Sequence, residues 1–275
     1  MRLEDFYPKR DRESRKGDFG RIIVAGGSER YAGCLAFNGL AALRAGADLS
    51  IIVAPERAAN IAAGYSPDLI TVPCTTRYPE PDKVAEVLDK ADSLVVGGGV
   101  EKTRKAHAAL VSIIRNCTKP IVADAEALHA IAEKPAVVKG KKIVLNPNGG
   151  EYRTLTGQAW PWTESARRRA VKSLARRYDC TVSVKGGLDF ISDGDRVHVD
   201  RAGSPYMTKG GIGDLLAGVL AAHLARGRSP FDAARAAALV VGLSGEKAAR
   251  IFGEGLTASD VLATIPSILP NRNGH

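Results

Sequence analysis

The stretch RIIVAGGSERYAGCLAFNGLAALRAGADLSIIVA, residues 21–54, decides the fold class of this chain. RIIVAG and DLSIIVA are short, continuous apolar runs typical of fully buried strands, and CLAFNGLAALRAG between them has helical spacing. A strand, a helix and a second strand in this order predict a parallel sheet that is covered by helices.

The same alternation continues through most of the chain. Weaker strand patterns occur at DLITVP, SLVVGGG, PIVADA and KKIVLNP, with helical segments between most of them. CTVSVKG, LDFISDG and RVHVDR follow one another with short turns, which predicts an antiparallel edge, and the last third is almost entirely helical. Because no repeat or linker interrupts these 275 residues, we expect one α/β domain over 1–275, with a mostly parallel central sheet.

Composition narrows the possible functions. The net charge of +9 is spread along the chain, and the arginines between 167 and 177 lie on a predicted helix, where charged residues usually face solvent, so nucleic acid is not an expected partner. The four cysteines lack CxxC or histidine spacing, which indicates reduced, buried thiols and a cytoplasmic protein without a cysteine metal site. A charged N-terminus and short apolar runs predict neither a signal peptide nor a membrane helix.

The most informative segment for function is MTKGGIGD, residues 207–214, which runs directly into the apolar helix LLAGVLAAHLARG. Glycines allow the backbone to approach a ligand, and a helix start presents unpaired N–H groups and the positive end of its dipole. This arrangement suits a phosphate, and Asp214 beside it could accept a proton from an attacking hydroxyl. The alternative is that Asp214 is only the N-cap of the helix.

Several other predicted strands end in glycine or in polar residues: Gly26–Ser28, Gly97–Gly99, Asp124, and Asn146–Asn148. Since ligands of open α/β sheets bind at the carboxyl ends of strands, these residues are expected to face one crevice. Gly26–Ser28 does not complete a GxGxxG fingerprint, which argues against a Rossmann dinucleotide site. Asp124 fits a helix cap as well as a catalytic role, and Lys185 fits a hairpin bend as well as a phosphate contact.

Together these segments resemble a known family. The strings GDFGRIIVAGGSERYAG (17–33), VVGGG, IVADAEAL, NPNGGEYRTLTG (146–157), VKGG, TKGGIGDLLAGVLAAHLARG and GLTASDVLATIPSIL (255–269) occur in the order found in ADP- or ATP-dependent NAD(P)H-hydrate dehydratases. These are metabolite-repair enzymes of the ribokinase-like superfamily. The resemblance implies a three-layer sandwich, with helices on both faces of the sheet.

The resemblance also implies an activity. Such enzymes restore NADH or NADPH from the S form of the hydrated cofactor by transferring a phosphoryl group to the ring hydroxyl and then eliminating phosphate. Asp214 would be the general base, and Mg²⁺ would bridge the phosphates of ADP or ATP, with ADP favoured in stand-alone microbial relatives. Two other functions are compatible with the same motifs: a small-molecule kinase for a sugar or vitamin precursor, and a nucleotide-binding protein without enzymatic activity.

Site residues follow from the resemblance, position by position. The nucleotide site comprises the turn Lys185, Gly186, Gly187, Leu188 and Asp189, with the amides of Gly210, Gly211 and Gly213. The hydrated cofactor is assigned to Cys34, Gly99, Asn148 and Asp214, and Glu151 is assigned to metal-bound water.

The chain departs from the family pattern at three places. Asn148-Gly149 replaces a usual His-Pro, Cys34 replaces a common alanine, and Gly97–Glu101 replaces a GPGLG turn. The family resemblance further predicts a homo-oligomer. Because the chain begins directly at the dehydratase pattern, we expect the partner epimerase to be a separate protein.

Overall fold

The computed structural model describes residues 2–270 and contains a nine-stranded sheet within them. The strands are β1 Arg21–Ala25, β2 Leu49–Pro55, β3 Leu69–Cys74, β4 Ser93–Val96, β5 Ile121–Ala123, β6 Ile143–Leu145, β7 Thr181–Val184, β8 Asp189–Ser192 and β9 Val197–Asp200. Their order across the sheet is β3-β2-β1-β4-β5-β6-β7-β8-β9.

The sheet is parallel from β3 to β7 and antiparallel from β7 to β9. This confirms the predicted fold class, including the antiparallel edge. The chain order reverses beside β1, because β2 pairs with one side of β1 and β4 with the other. Such a reversal opens a crevice at the carboxyl ends of the two strands, where ligands of open α/β sheets bind.

Ten α-helices complete the described structure. They are α1 Gly33–Arg44, α2 Glu56–Tyr65, α3 Pro81–Leu88, α4 Arg104–Asn116, α5 Glu126–Glu133, α6 Gly149–Thr156, α7 Glu164–Tyr178, α8 Ile212–Ala225, α9 Pro230–Phe252 and α10 Ala258–Ile268. Helices α1, α2, α8, α9 and α10 cover one face of the sheet, and α3 to α7 cover the other.

Each inner strand contributes alternate side chains to two cores. In β1, Ile22 and Val24 pack with the α8 face, whereas Ile23 and Ala25 pack with the α4 face. Full burial of an aliphatic side chain of this size contributes about 1.5–3 kcal/mol, so both layers stabilise the sheet. The three-layer arrangement predicted from the resemblance is therefore present.

Helix α8 lies close against α1. At Gly218 an added Cβ would collide with the backbone carbonyl of Asn38, so only glycine allows this approach. The close packing fixes the start of α8, and with it Asp214, against the first turns of α1.

Two sequence expectations, for the cysteines and for membrane helices, can be compared with the structure. All four cysteines are free thiols; three are buried and Cys34 is partly exposed. Among residues 2–270, no helix combines the length and apolar character needed to cross a membrane.

Candidate active site

The glycine-rich segment forms the start of α8 as predicted, but Asp214 is not its cap. Gly211 occupies the N-cap position with φ 96°, a left-handed conformation suited to glycine, and Asp214 lies in the first turn. The N-terminal end of this helix therefore presents free amides next to a carboxylate. This excludes the interpretation of Asp214 as an N-cap residue.

Asp214 lies at the crevice beside β4. Its Oδ1 accepts a hydrogen bond of 3.4 Å from Asn38 Nδ2, and an added Cβ on Gly98 would lie 3.4 Å from the same oxygen. Burial, followed by the nearby Asp124 carboxylate, raises the pKa of Asp214 to about 7, against the lowering effect of Lys185 and Asn38. A carboxyl group with this pKa is suited to general-base catalysis near neutral pH.

A buried ion group connects three elements next to Asp214. Lys185, just after β7, donates to Asp124 Oδ1, just after β5, and its Nζ lies 3.9 Å from Glu151 Oε2 on α6. Although burial disfavours the charged ammonium, the Asp124 and Glu151 carboxylates raise the pKa of Lys185, which keeps it cationic. An added Cβ on Gly213 would lie 3.3 Å from Nζ, so the cation reaches the start of α8.

These contacts bear on two questions that the sequence leaves open. The α5 helix begins after Ala125 without a side-chain cap, so the Asp124 carboxylate holds Lys185 instead of capping the helix. Lys185 in turn points to the α8 start, and its contact with phosphate oxygens stays a prediction.

Asn148 is the N-cap residue of α6. Its Oδ1 accepts hydrogen bonds from Gly150 N at 2.8 Å and Glu151 N at 2.9 Å, while Glu151 Oε2 accepts from Asn148 N at 2.7 Å. This is a complete capping box at the start of α6. Burial raises the pKa of Glu151 despite the opposing effect of Lys185. The Asn148 oxygen is thus committed to the helix, and its amide nitrogen is the part left for a ligand.

A cavity of about 570 Å³ opens beside the α8 start. Five of the residues predicted to bind the nucleotide line it: Lys185, Gly186, Gly187, Asp189 and Gly213. Asn148, which the resemblance places at the hydrated cofactor, lines it as well. Leu188 packs into the core beneath the turn, and Gly210 and Gly211 lie outside the lining.

The Lys185–Asp189 turn, which borders this cavity, is stabilised by a hydrogen bond between two of its own residues. Asp189 Oδ1 accepts a hydrogen bond of 2.9 Å from Gly186 N. Burial raises the pKa of Asp189 to about 7, and the Asp200 carboxylate adds to this effect. Asp189 therefore shapes the Lys185–Asp189 turn from its inner side.

No role was assigned from the sequence to the rest of the cavity lining, although part of it lies in the 207–214 segment. The remaining lining residues are Ala202, Gly203, Ser204, Pro205, Met207, Thr208, Ile212, Leu216, Ala238, Val241 and Gly242. Ala238, Val241 and Gly242 follow i, i+3, i+4 spacing on α9, which is the same signal that a core-facing helix gives. The segment SPYMTK, which directly precedes the glycines in the sequence, was the available signal for this part of the lining.

The predicted cofactor residues Cys34 and Gly99 lie on the other side of Asp214. A side chain at Gly99, where φ is 71°, would collide with Cys34 Sγ, so the thiol lies directly against the triple-glycine turn. Burial, followed by the Asp214 carboxylate, raises the pKa of Cys34 to about 12. Cys34 is therefore a neutral wall residue and not a nucleophile at neutral pH.

The crevice thus places a carboxylate between a glycine-lined surface and a nucleotide-sized cavity at the end of a mostly parallel sheet. The fold is ribokinase-like, as in a ribokinase-like superfamily protein of Enterococcus faecalis with a TM-score of 0.84 at 20% sequence identity. The sequence profile described as NAD(P)H-hydrate dehydratase matches residues 22–267, and the chain belongs to that family.

Individual relatives agree with this assignment. The chain is 38% identical over 264 residues to a bifunctional NAD(P)H-hydrate repair enzyme of Pyrobaculum aerophilum, covering 94% of this chain and 52% of the relative. It is 36% identical over 272 residues to an ADP-dependent (S)-NAD(P)H-hydrate dehydratase of Cenarchaeum symbiosum, covering 97% and 94%. The chain therefore spans about half of the first relative and nearly all of the second.

A solved structure shows the same fold. The ADP/ATP-dependent NAD(P)H-hydrate dehydratase from Bacillus subtilis, co-crystallised with ATP/Mg²⁺, has a TM-score of 0.84 at 22% sequence identity. The match covers 97% of this chain and 94% of that one.

Proposed function

We propose that this protein is an ADP-dependent (S)-NAD(P)H-hydrate dehydratase, with ATP as the alternative nucleotide. The observation that carries the proposal is Asp214, a buried carboxyl group with a pKa of about 7 at the α8 start, between the nucleotide cavity and the Cys34–Gly99 surface. Family membership and the ADP dependence in the names of relatives such as the Cenarchaeum symbiosum enzyme support the choice of substrates.

This arrangement supports the following reaction. Asp214 accepts the proton of the ring hydroxyl while the hydroxyl oxygen attacks the terminal phosphorus of the nucleotide, releasing AMP from ADP or ADP from ATP. The amides of Gly210, Gly211 and Gly213 and the Lys185 cation stabilise the negative charge on the transferred group. The C–O bond then breaks as the ring nitrogen supplies an electron pair and phosphate leaves. Loss of a proton from the adjacent ring carbon to solvent forms the C=C bond of reduced nicotinamide.

The available side chains bear on how Mg²⁺ would be held. Within residues 2–270, no group of three His, Cys, Asp or Glu side chains could hold a metal ion. Asp124 accepts a direct hydrogen bond from Lys185, whereas Glu151 Oε2 lies 3.9 Å from Lys185 Nζ, so we assign the water-mediated metal contact to Glu151. Mg²⁺ bound mainly through phosphate oxygens and water would neutralise charge on the nucleotide.

We further infer that residues 1–275 act as one domain, because one sheet runs through the described part; Met1 and 271–275 lie outside it. A cytoplasmic location, a homo-oligomer and a separate epimerase stay predictions. The bifunctional relative from Pyrobaculum aerophilum, of which this chain covers 52%, supports the idea that a second repair activity accompanies the dehydratase activity.

A direct assay tests the function. The protein is incubated with hydrated NADH, Mg²⁺ and either ADP or ATP, and the absorbance of reduced nicotinamide is recorded. Recovery of absorbance with release of AMP from ADP is expected. Nucleotide turnover that requires an added sugar or vitamin alcohol would instead indicate a kinase, and nucleotide binding without any turnover would indicate a non-enzymatic protein.

Variants identify the base. Asp214→Asn is expected to lower kcat by about 10²–10⁴-fold, because general-base catalysis typically contributes that much, while nucleotide binding is retained. Asp82→Asn on the exposed surface of α3 is the matched control and should behave as wild type. Normal turnover by Asp214→Asn would refute the assignment.

A further inference from the structure

A second cavity, of about 550 Å³, lies at the other end of the crevice and is separate from the nucleotide cavity. Its lining includes Glu29 from the loop after β1, Arg57 from the first turn of α2, and Thr76 and Arg77 from the loop after β3. All of these segments follow the carboxyl ends of strands, so the cavity opens on the same edge of the sheet as Asp214.

The two cavities lie on opposite sides of Asp214. The nucleotide cavity lies near the ends of β7 to β9, and the second cavity lies near the ends of β2 and β3. Three strand spacings separate β4, beside Asp214, from β3, which is about 14 Å at the usual spacing of neighbouring strands. A long ligand whose reacting end lies at Asp214 could therefore reach the second cavity along the sheet edge.

The second cavity contains guanidinium groups that are free to bind an anion. Arg57 and Arg77 are exposed, and neither forms an ion pair with another described residue. Arg57 Nη1 donates to the backbone oxygen of Glu29 at 2.6 Å, which directs its side chain across the cavity. Planar guanidinium groups bind phosphate oxygens through paired hydrogen bonds.

The loop that carries Arg77 is held in place before any ligand binds. Glu80 Oε1 accepts hydrogen bonds from Thr75 N at 3.1 Å, Thr76 N at 2.8 Å and Thr75 Oγ1 at 2.7 Å. A preorganised loop lowers the entropic cost of binding. The carboxylates of Glu29 and Glu56 in the same lining could accept hydrogen bonds from ligand hydroxyl groups.

Tyr31 connects the two regions. Its ring is largely exposed, with 57% of the residue surface accessible, and an added Cβ on Gly99 would lie 3.1 Å from Tyr31 Cβ. Its backbone oxygen accepts from Ser28 N at 3.0 Å, next to Glu29 in the second cavity. The tyrosine thus lies between the surface around Cys34 and the second cavity, where an aromatic face suits a ribose or a base.

We propose that the second cavity binds the adenosine-phosphate half of the hydrated dinucleotide, with Arg57 and Arg77 contacting its phosphate oxygens. This inference rests on the proposed function. The nicotinamide ring must lie at Asp214, and the co-substrate nucleotide fills the cavity on the β7 side. The rest of the dinucleotide then extends toward β2 and β3, where the unpaired arginines lie.

The test compares substrates of two lengths. KM is measured for hydrated NADPH, hydrated NADH and hydrated reduced nicotinamide mononucleotide, with ADP saturating, in wild type and in the double variant Arg57→Gln/Arg77→Gln. The loss of charge-assisted hydrogen bonds should raise KM for the dinucleotides by about tenfold to a hundredfold. The KM for the mononucleotide, the KM for ADP and kcat should not change.

The control variant is Arg44→Gln, which removes an exposed arginine from the last turn of α1. This turn lies near the amino ends of the parallel strands, away from the cavity. It should leave every KM unchanged. A larger effect on NADPH than on NADH would place the 2′-phosphate at the arginines, and equal effects would place the pyrophosphate there. An unchanged dinucleotide KM, or an equal rise for the mononucleotide, would overturn the proposal.

Failure of the proposed function would be recognised separately. If wild type does not restore NADPH with either nucleotide, the cavity is tested by calorimetric titration of NADPH into wild type and the double variant. Weaker NADPH binding by the variant supports the subsite, and equal binding refutes it.

Discussion

The hydrogen bond from Asn38 to Asp214 gives a quantitative prediction. The donor lies on α1 and the acceptor on α8, 3.4 Å apart, and the donor lowers the pKa of Asp214 whereas burial and Asp124 raise it to about 7. Asn38→Ala removes this donor, so the carboxyl group should hold its proton to higher pH. Asp214 acts as a base only without its proton, and activity at low pH should therefore fall.

The size of the effect follows from the geometry. A hydrogen bond to a charged group contributes about 1.5–3 kcal/mol, and a long bond belongs at the weak end, which corresponds to about one pKa unit. With a pKa of about 7, wild type should retain about one tenth of its plateau kcat/KM at pH 6, since about one tenth of the base is deprotonated. Asn38→Ala should retain about one hundredth.

The assay is the pH dependence of kcat/KM between pH 5.5 and 9. Wild type and variant are measured in the same buffers, so that titration of the nucleotide affects both equally. The other charged groups facing Asp214 are Asp124 and Lys185, with Glu151 contributing less, and all are retained in the variant. Asn116→Ala, on the exposed end of α4, is the control. An acidic limb that stays in place or moves to lower pH in Asn38→Ala would refute this account of Asp214.

Two predictions concern stability and are checked by urea unfolding. Lys185→Met leaves the Asp124 and Glu151 carboxylates without their cation, so stability should drop by about 3–5 kcal/mol at pH 8. The loss should be smaller at pH 5, because burial raises the pKa of Glu151 and this carboxyl group then takes up a proton more readily; an equal loss at both pH values would contradict this. Gly211→Ala forces a side chain into φ 96° and 2.7 Å from Phe37 Cε2, which should cost about 2–4 kcal/mol. Gly210→Ala, where an added Cβ meets nothing within 4 Å, should cost far less.

The layered fold was predictable because its signal is local. Buried parallel strands need continuous apolar runs and their covering helices need apolar faces, and RIIVAG, DLSIIVA and the weaker runs show both patterns. The change to short turns after Tyr178 likewise predicted the antiparallel edge formed by β7 to β9. Strand ends rich in glycine and polar residues indicated the edge of the sheet that carries the site.

The partners of individual side chains were not predictable in the same way. Asp124 and Lys185 are 61 positions apart, and each fits an ordinary local role when read alone. Asn38 and Asp214 are 176 positions apart, and nothing near Asn38 in the chain distinguishes it from any polar residue on a helix. The α9 wall of the nucleotide cavity has the same apolar spacing as a core-facing helix.

The amino-acid sequence by itself therefore determined the parallel sheet, its antiparallel edge and the position of Asp214 in the GGIGD segment, because propensity and periodicity act over neighbouring residues. Only the tertiary structure decided that Gly211 caps α8, that Asp124 holds Lys185, and that a second cavity with Arg57 and Arg77 lies beyond Asp214. Those features depend on the order of strands in the sheet, which brings together residues that are distant in the chain. They also depend on burial, which changes the pKa values of buried groups.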